Sequence, residues 1–424
     1  MHASLGAENL ITIYREALEH DAEYKIARHT YTASQERLTQ GRAGLLPSID
    51  FTGRARNVYL DTDRLDGDIL IRNRGMVITA VQPLFRIENI IIYQQSKNEV
   101  AQGDAQFVLA AQNLILRITQ AYFDMLTAQA NVEVLESQTK AFERQLEQMR
   151  YNLESGLGTI VDLDEAESRY DLAISQEIAA RNTLEISRHN LQRIINRFPD
   201  MPFDVRMDKI VSGPLALPER SMDEWVSLAE QKSIALRVQQ LAYDIAKQEA
   251  TRAKSEHYPT LDLVGQYNNQ IDNPFVVSGR GQDFESKAIG IELRVPIFHG
   301  FSTQSKAREM LANREKAREE VENSRRLIAL QVRQHYLNLT NGAARVKALR
   351  RALKSSQSQL DSTILGQEAG IRIEIDVLNA QQQYYSARRD LVVAYYDYLM
   401  ARLKLKADVA ELDESALEEI NALL

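Results

Sequence analysis

From Phe107 to Leu153, apolar side chains recur in alternating steps of four and three residues. The series runs Phe107, Ala111, Leu114, Ile118, Ala121, Met125, Ala128, Val132, Leu135, Thr139, Phe142, Leu146, Met149 and Leu153, and only Thr139 in it is polar. A seven-residue repeat sustained this long predicts a helix wound left-handed against its neighbours. The same register returns at Val332, Leu339, Val346, Leu353 and Leu360. A second seam alternates small and large residues: Ala380, Tyr384, Ala387, Leu391, Ala394, Tyr398, Ala401 and Leu405, with a partner in Ala166, Tyr170, Ala173, Glu177, Ala180, Leu184, Ser187 and Leu191. Small residues let helices approach closely, and large ones fill the remaining space. A helix from Ile87 to Glu154 would run ~100 Å at 1.5 Å per residue, so an elongated molecule is expected.

Elsewhere the period drops to two. Ile289, Ile291, Leu293 and Val295 alternate with Ala288, Gly290, Glu292 and Arg294, and the matching strand sets Met76, Ile78 and Ala80 against Val77, Thr79 and Val81. Ile49, Phe51 and Gly53 share one face of another strand, as do Leu261, Leu263, Gly265 and Tyr267. This is the pattern of a barrel strand in lipid and equally of any half-buried sheet. Strand number shifts the balance toward the barrel. Two hairpins supply four strands, and closed barrels begin at about eight. Several chains sharing one barrel would remove every open edge, and three chains would supply about twelve strands.

The chain is written twice. "LLPSIDFTGR" (45–54) aligns with "HYPTLDLVGQ" (257–266), putting Pro47 on Pro259 and Asp50 on Asp262, 212 positions on. "VQPLF" (81–85) aligns with "RVPIF" (294–298). "SGLGTIVDLDEAESRYDLA" aligns with "AGIRIEIDVLNAQQQYYSA" at an offset of 214, matching Gly156 to Gly370 and Asp162 to Asp376. The predicted units are 1–210 and 211–424. Each holds a helix (about 9–44 and 221–255), a Pro-bounded hairpin (about 47–85 and 259–298), and a coiled-coil pair (about 87–197 and 301–405). A Pro- and Gly-punctuated linker, 197–221, joins them.

Charge narrows the function. The net charge is −8, with Lys and Arg interleaved among Asp and Glu, so no concentrated basic face for nucleic acid is expected. The chain has no cysteine, which excludes disulfides, thiolate metal sites and a Cys nucleophile. No apolar run reaches the ~18–20 residues of a membrane-spanning helix, although a polar chain can still cross a membrane as a closed barrel. Residues 1–9 lack signal-peptide character, so an exported chain would be one whose signal has been removed. His2, His20, His29, His189, His257, His299 and His335 are scattered without metal spacing, and no nucleophile elbow or phosphate-cradling loop occurs. Neither an enzyme nor a cofactor is expected. Asp61, Asp63, Asp66 and Asp68 resemble a calcium loop, but Leu65 takes a ligand position and Gly67 comes one place late; a solvated acidic loop is the better reading.

Taken together, "RAGLLPSIDF" (42–51), "AYFDML" (121–126), the "GLGTIVDLDEA" turn and the "GIRIEIDVLNA" turn, in this doubled order, resemble the TolC family of outer-membrane efflux and type I secretion proteins. The resemblance covers essentially the whole chain. It implies a mainly α fold with β, a homotrimer whose twelve-stranded barrel sits in outer-membrane lipid, and a periplasmic α-helical barrel continuous with it. A mixed belt would involve Phe198–Trp225 and Lys406–Leu424. The implied partners are a periplasmic adaptor and an inner-membrane pump of RND, ABC or MFS type. The rival reading is a soluble elongated coiled-coil scaffold.

Two readings stand at the helical turns. Asp162 with Glu165 three residues on, and Asp376 with Asn379 three on, have the spacing of helix N-caps with box partners. Three copies of Asp376 around a closed pore would instead form a cation-favouring carboxylate ring. The resemblance matches Asp376 to the family's periplasmic constriction and puts Asn379 where a second acidic ring often lies, so a single, weaker ring is expected. It matches Arg372 to an Arg that locks neighbouring coils to the position of Asp162. Gln367 replaces a Tyr of that lock, which should be looser or wired through Glu374 or Glu154. The turns Gly156, Leu157, Gly158 and Gly370, Ile371 would meet the adaptor.

Overall fold

The computed structural model describes residues 9–60, 69–199, 206–272 and 283–424. The acidic stretch Asp61, Asp63, Asp66 and Asp68 lies outside the described residues. Within them the order is α1 (Leu10–His20), α2 (Ala22–Ala43), β1 (Ser48–Leu60), β2 (Ile69–Phe85), α3 (Ile87–Glu154), α4 (Ile160–Ile195), α5 (Met207–Ser212), α6 (Met222–Lys232), α7 (Ile234–Ser255), β3 (Thr260–Asp272), β4 (Asp283–Arg294), α8 (Ser302–Glu368), α9 (Glu374–Asp408) and α10 (Glu414–Leu423). The fold is mainly helical with one sheet.

The helix expected over 9–44 is interrupted at Asp21, and the one over 221–255 at Ser233. Each residue leaves the helical region (ψ 123° and 124°) while its own N–H still bonds back, to Ala17 and Ala229 respectively. Asp21 then caps α2, accepting from Tyr24 N–H at 2.6 Å, and Arg117 on α3 binds the same carboxylate at 2.7 Å. One polar residue that satisfies several backbone and side-chain partners overrides the helical pattern around it. Within the linker α5 forms, which the sequence does not predict.

Two compact units emerge, each drawing segments from both halves of the chain. One comprises Met1–His29, Gln106–Leu236 and Ser324–Leu424. In it every position of the α3 heptad series is buried or half-buried. The α3 side chains meet the small residues of α4: Val132 and Leu135 pack on Ala180, Phe142 on Ala173, and Leu146 and Met149 on Ala166. On the other pair, Leu360 packs on Val377 and Ala380. The linker and tail complete this unit. Arg350 of α8 donates to the carbonyls of Ile210 and Gly213 (both 2.8 Å), and Tyr398 Oη donates to Ala216 O (2.8 Å). Burial pushes the Tyr395 and Tyr398 hydroxyls above their ordinary range, so both remain neutral donors.

The C-terminal helix of this unit gives a pH-dependent test. Asp413 caps α10 by accepting from Ala416 N–H (2.9 Å) and Ser415 Oγ (2.6 Å). These bonds, the Ser415 hydroxyl first, hold its carboxyl below the usual range. Its contribution is therefore present above the ordinary Asp value of ~3.9 and is lost as pH falls through the lower folded value. Asp413→Ala is expected to cost about 0.5–2 kcal/mol at pH 7 and progressively less as pH falls below ~3.9, read as amide exchange in α10. A penalty that does not change as the pH is lowered would remove the cap.

The second unit comprises Thr30–Ala105 and Arg237–Asn323. It holds a four-stranded antiparallel sheet in the order β1-β2-β3-β4. The registers (Phe51↔Ile78, Ile78↔Tyr267, Leu263↔Ile291) carry one face across all four strands. That face presents Ile49, Phe51, Ile78, Met76, Leu261, Leu263, Ile289, Ile291 and Leu293. The opposite face presents Asp50, Thr52, Arg54, Arg56, Thr79, Asp262, Gln266, Asn268, Glu292 and Arg294. At the foot of the sheet Arg86 forks onto Asp262 (2.8 and 2.5 Å) and Arg252 bridges Glu88 and Glu249 (both 2.5 Å). Strand β4 stops at Arg294, short of the Val295 that the alternation places in it.

Candidate functional site

Both interhelical turns of the coiled-coil pairs are closed by the same hydrogen bonds, 214 positions apart. After α3, Leu157 N and Gly158 N donate to Asn152 O (2.8 and 3.0 Å), and Gly156 N donates to Leu153 O (3.0 Å). After α8, Ile371 N and Arg372 N donate to Gly366 O (2.8 and 3.0 Å), and Gly370 N donates to Gln367 O (2.8 Å). This helix-ending pattern needs one left-handed residue. Gly156 (φ 74°) and Gly370 (φ 72°) supply it without the cost a β-carbon would bring. The turn is also too tight for two large side chains to face each other. Gly158 clears Asn152 in the first turn, and in the second the roles reverse, with Gly366 clearing Arg372.

The return helices start earlier than the sequence suggests. Thr159, and not Asp162, is the N-cap of α4. Its Oγ1 accepts from Asp162 N–H (3.2 Å), while Asp162 Oδ2 accepts from Thr159 N–H (3.2 Å) and Thr159 Oγ1 (2.7 Å). Asp162 is thus the reciprocal member of the box. Glu165, expected as its partner, instead binds Arg169 at 3.0 Å. Nor does Asp376 cap α9. Ile373 occupies that position with no side-chain cap, and Asp376 sits one turn in.

The geometry brings some of the anticipated residues together. Arg372 Nη1 lies 3.7 Å from Asp376 Oδ2, one helical turn away, and both are partly exposed. Within the chain, then, Arg372 faces Asp376, and the Asp162 carboxylate is taken by Thr159. Gln367 is half-buried, its carbonyl holding Gly370. Asn379 accepts from Arg169 Nη1 at 3.2 Å, linking α9 to α4. Sequence reasoning missed Arg169; the only signal was its spacing of four from Glu165. The Glu374 side chain lies outside the described residues.

Both turns end in exposed apolar residues. Leu157 and Ile371 are 82% and 80% exposed, and Ile160, Val161, Leu365 and Ile373 are also open to solvent. These apolar side chains stand beside charged ones, Arg372 and Asp376 in the second turn and Asp162 in the first. Among the described residues no group of three or more His, Asp or Glu could hold a metal ion, and no helix is long and apolar enough to cross a membrane.

Known proteins share this arrangement. The sequence profile described as outer membrane efflux protein matches residues 13–197 and again 225–409. Outer membrane protein TolC of Vibrio cholerae is 28% identical over 425 residues, spanning 100% of this chain and 95% of that one. Proteases secretion protein PrtF of Dickeya chrysanthemi is 28% identical over 431 residues, spanning 99% and 92%. The crystal structure of the Campylobacter jejuni CmeC outer membrane channel superposes with a TM-score of 0.81 at 15% identity, covering 98% of this chain and 89% of that one. The chain belongs to the outer membrane efflux proteins, a family of export ducts and not of enzymes.

Proposed function

We propose that three copies of this chain pool their sheets into one twelve-stranded barrel in outer-membrane lipid, continuous with a periplasmic α-helical tunnel. The duct is passive and is opened by a periplasmic adaptor and an inner-membrane pump of RND, ABC or MFS type. It serves multidrug efflux, type I protein secretion or both; the relative PrtF is by name a proteases secretion protein. The observation that carries the reading is the sheet. Its apolar face is uncovered, with Ile49, Phe51, Ile289, Ile291 and Leu293 all more than 60% exposed, and among the described residues the edges β1 and β4 have no further partner strand. Lipid would cover the face and neighbouring chains the edges. A soluble scaffold leaves both unexplained. The two halves, 1–210 and 211–424, would place two hairpins and two coiled-coil pairs per chain around the axis, in keeping with the doubled profile match.

At the periplasmic end, three copies of Asp376 would form a single carboxylate ring, each partnered by Arg372, with Asn379 a turn beyond. Arg372 or Asp162 of adjacent coils would share the closure, Gln367 standing where the family has a Tyr. Gly156, Leu157, Gly158, Gly370 and Ile371 would receive the adaptor. An exposed ion pair contributes about 0.2–1 kcal/mol. Three lost together should shift the closed-to-open ratio roughly threefold or more. Arg372→Ala is therefore expected to raise the single-channel conductance of purified trimers in planar bilayers. Unchanged conductance would take Arg372 out of the gate. Purified protein that stays monomeric and soluble without detergent would sink the duct reading itself.

A further inference from the structure

The internal repeat says more than that the edges need partners. It specifies the register of the missing strand pair. Strand β2 meets β3 inside the chain, and the sequence maps β2 onto β4 at an offset of 213 (Pro83 on Pro296, Phe85 on Phe298) and β3 onto β1 at an offset of 212 (Pro259 on Pro47, Asp262 on Asp50). In a closed barrel of repeated hairpins, β4 of one chain meets β1 of the next as β2 meets β3.

The registers Thr79↔Gln266, Ala80↔Gly265 and Phe85↔Leu261 then become Glu292 opposite Arg54, Leu293 opposite Gly53 and Phe298 opposite Ile49. The part-buried fork of Arg86 on Asp262 becomes His299 against Asp50. We propose that the subunit seam of the barrel takes this register, with a second copy of this chain as the occupant of both edges and with Glu292–Arg54 and His299–Asp50 as its charged contacts. The proposal rests on the trimer reading above.

Three independent features favour it. First, transfer of the register without adjustment sets opposite charges face to face at Glu292 and Arg54, on the polar face where both lie. A one-residue slip would set Glu292 opposite the uncharged Gly53 or Ala55 and would also turn every apolar side chain to the wrong face. Second, Phe298 and Ile49, brought together by the same transfer, are 68% and 73% exposed in the single chain. Third, β2 stays in strand to Phe85, where β3 receives it, whereas β4 ends at Arg294 although the aligned segment 295–298 follows. The shorter strand is the one whose partner belongs to another molecule. His299 in place of Arg86 gives the seam a weaker cation than the internal junction, since imidazole lacks the guanidinium fork.

The chain has no cysteine, so introduced pairs report cleanly. Glu292→Cys with Arg54→Cys, oxidised in outer-membrane vesicles, is expected to give covalent dimers and trimers on non-reducing gels that collapse on reduction. The slipped pairs Glu292→Cys with Gly53→Cys, and Glu292→Cys with Ala55→Cys, should link much less. Preferential linkage at either slipped pair would overturn the register while leaving the trimer standing. No intermolecular linkage at any pair would overturn the seam, and the trimer reading is then judged separately by the mass of the unmodified protein in detergent. As a second readout, His299→Arg should raise the temperature at which trimers dissociate in SDS and Asp50→Asn should lower it. If both variants dissociate at the wild-type temperature, the His299–Asp50 contact falls.

Discussion

Arginine placed at Ile289 is expected to abolish assembly into the outer membrane, whereas arginine one residue earlier, at Ala288, leaves it intact. Ile289 sits near the middle of β4, opposite Gly265, on the face that also carries Leu263, Ile291 and Phe51, and it is 80% exposed in the chain. Ala288 sits opposite Gln266 on the polar face. If the apolar face meets lipid, a cation at mid-depth costs about 2–4 kcal/mol. Repeated in every chain of a trimer, that total reaches roughly 6–12 kcal/mol, comparable with the whole margin of about 5–15 kcal/mol that keeps a domain folded. On the polar face of such a barrel the same side chain would point into a wet lumen and cost little. The readout is the fraction of heat-modifiable trimer in the detergent-insoluble outer-membrane fraction. Equal loss in both variants would mean that packing, and not lipid, governs this strand. Equal survival would mean that neither face meets lipid.

The parts of this protein legible in its sequence are those set by period and punctuation. The four-three spacing of Leu114, Met125, Val132 and Leu146 fixes a buried helical stripe because each of these side chains must leave water, and all four are buried. Gly156 and Gly370 mark turns because only glycine accepts the left-handed backbone there cheaply. What the sequence concealed depends on single polar groups with several competing partners. Asp21 breaks a helix only because Tyr24 N–H and Arg117 both claim its carboxylate. Thr159 caps α4 although the β-branched Ile160 and Val161 make a poor first turn by propensity. At the interhelical turns, the residue types could be named from the sequence, but their pairing could not. Arg372 could reach Asp162 or Asp376, and chain geometry brings it to Asp376. Arg169 with Asn379 joins residues 210 positions apart, a distance over which local spacing carries no information.

The same kind of hidden long-range pair holds the foot of the sheet, and removing it is the second large effect. Arg86 stands between the last residue of β2 and the first of α3, where the chain passes from strand to helix. Its guanidinium forks onto both oxygens of Asp262, whose side chain is only 9% exposed. Arg86→Ala would leave that carboxylate enclosed with its partner gone. Breaking one side of a buried pair costs about 3–5 kcal/mol, because the surviving charge is uncompensated, whereas removing both sides together can be nearly neutral. Arg86→Ala is thus expected to lower the thermal stability of the protein sharply. Arg86→Ala with Asp262→Asn should recover much of the loss, since a neutral amide pays far less for enclosure. Scanning calorimetry of the four species that complete this cycle measures the coupling directly. If the double variant is as unstable as Arg86→Ala alone, the arginine acts through its packing against the sheet foot and the ion pair is incidental.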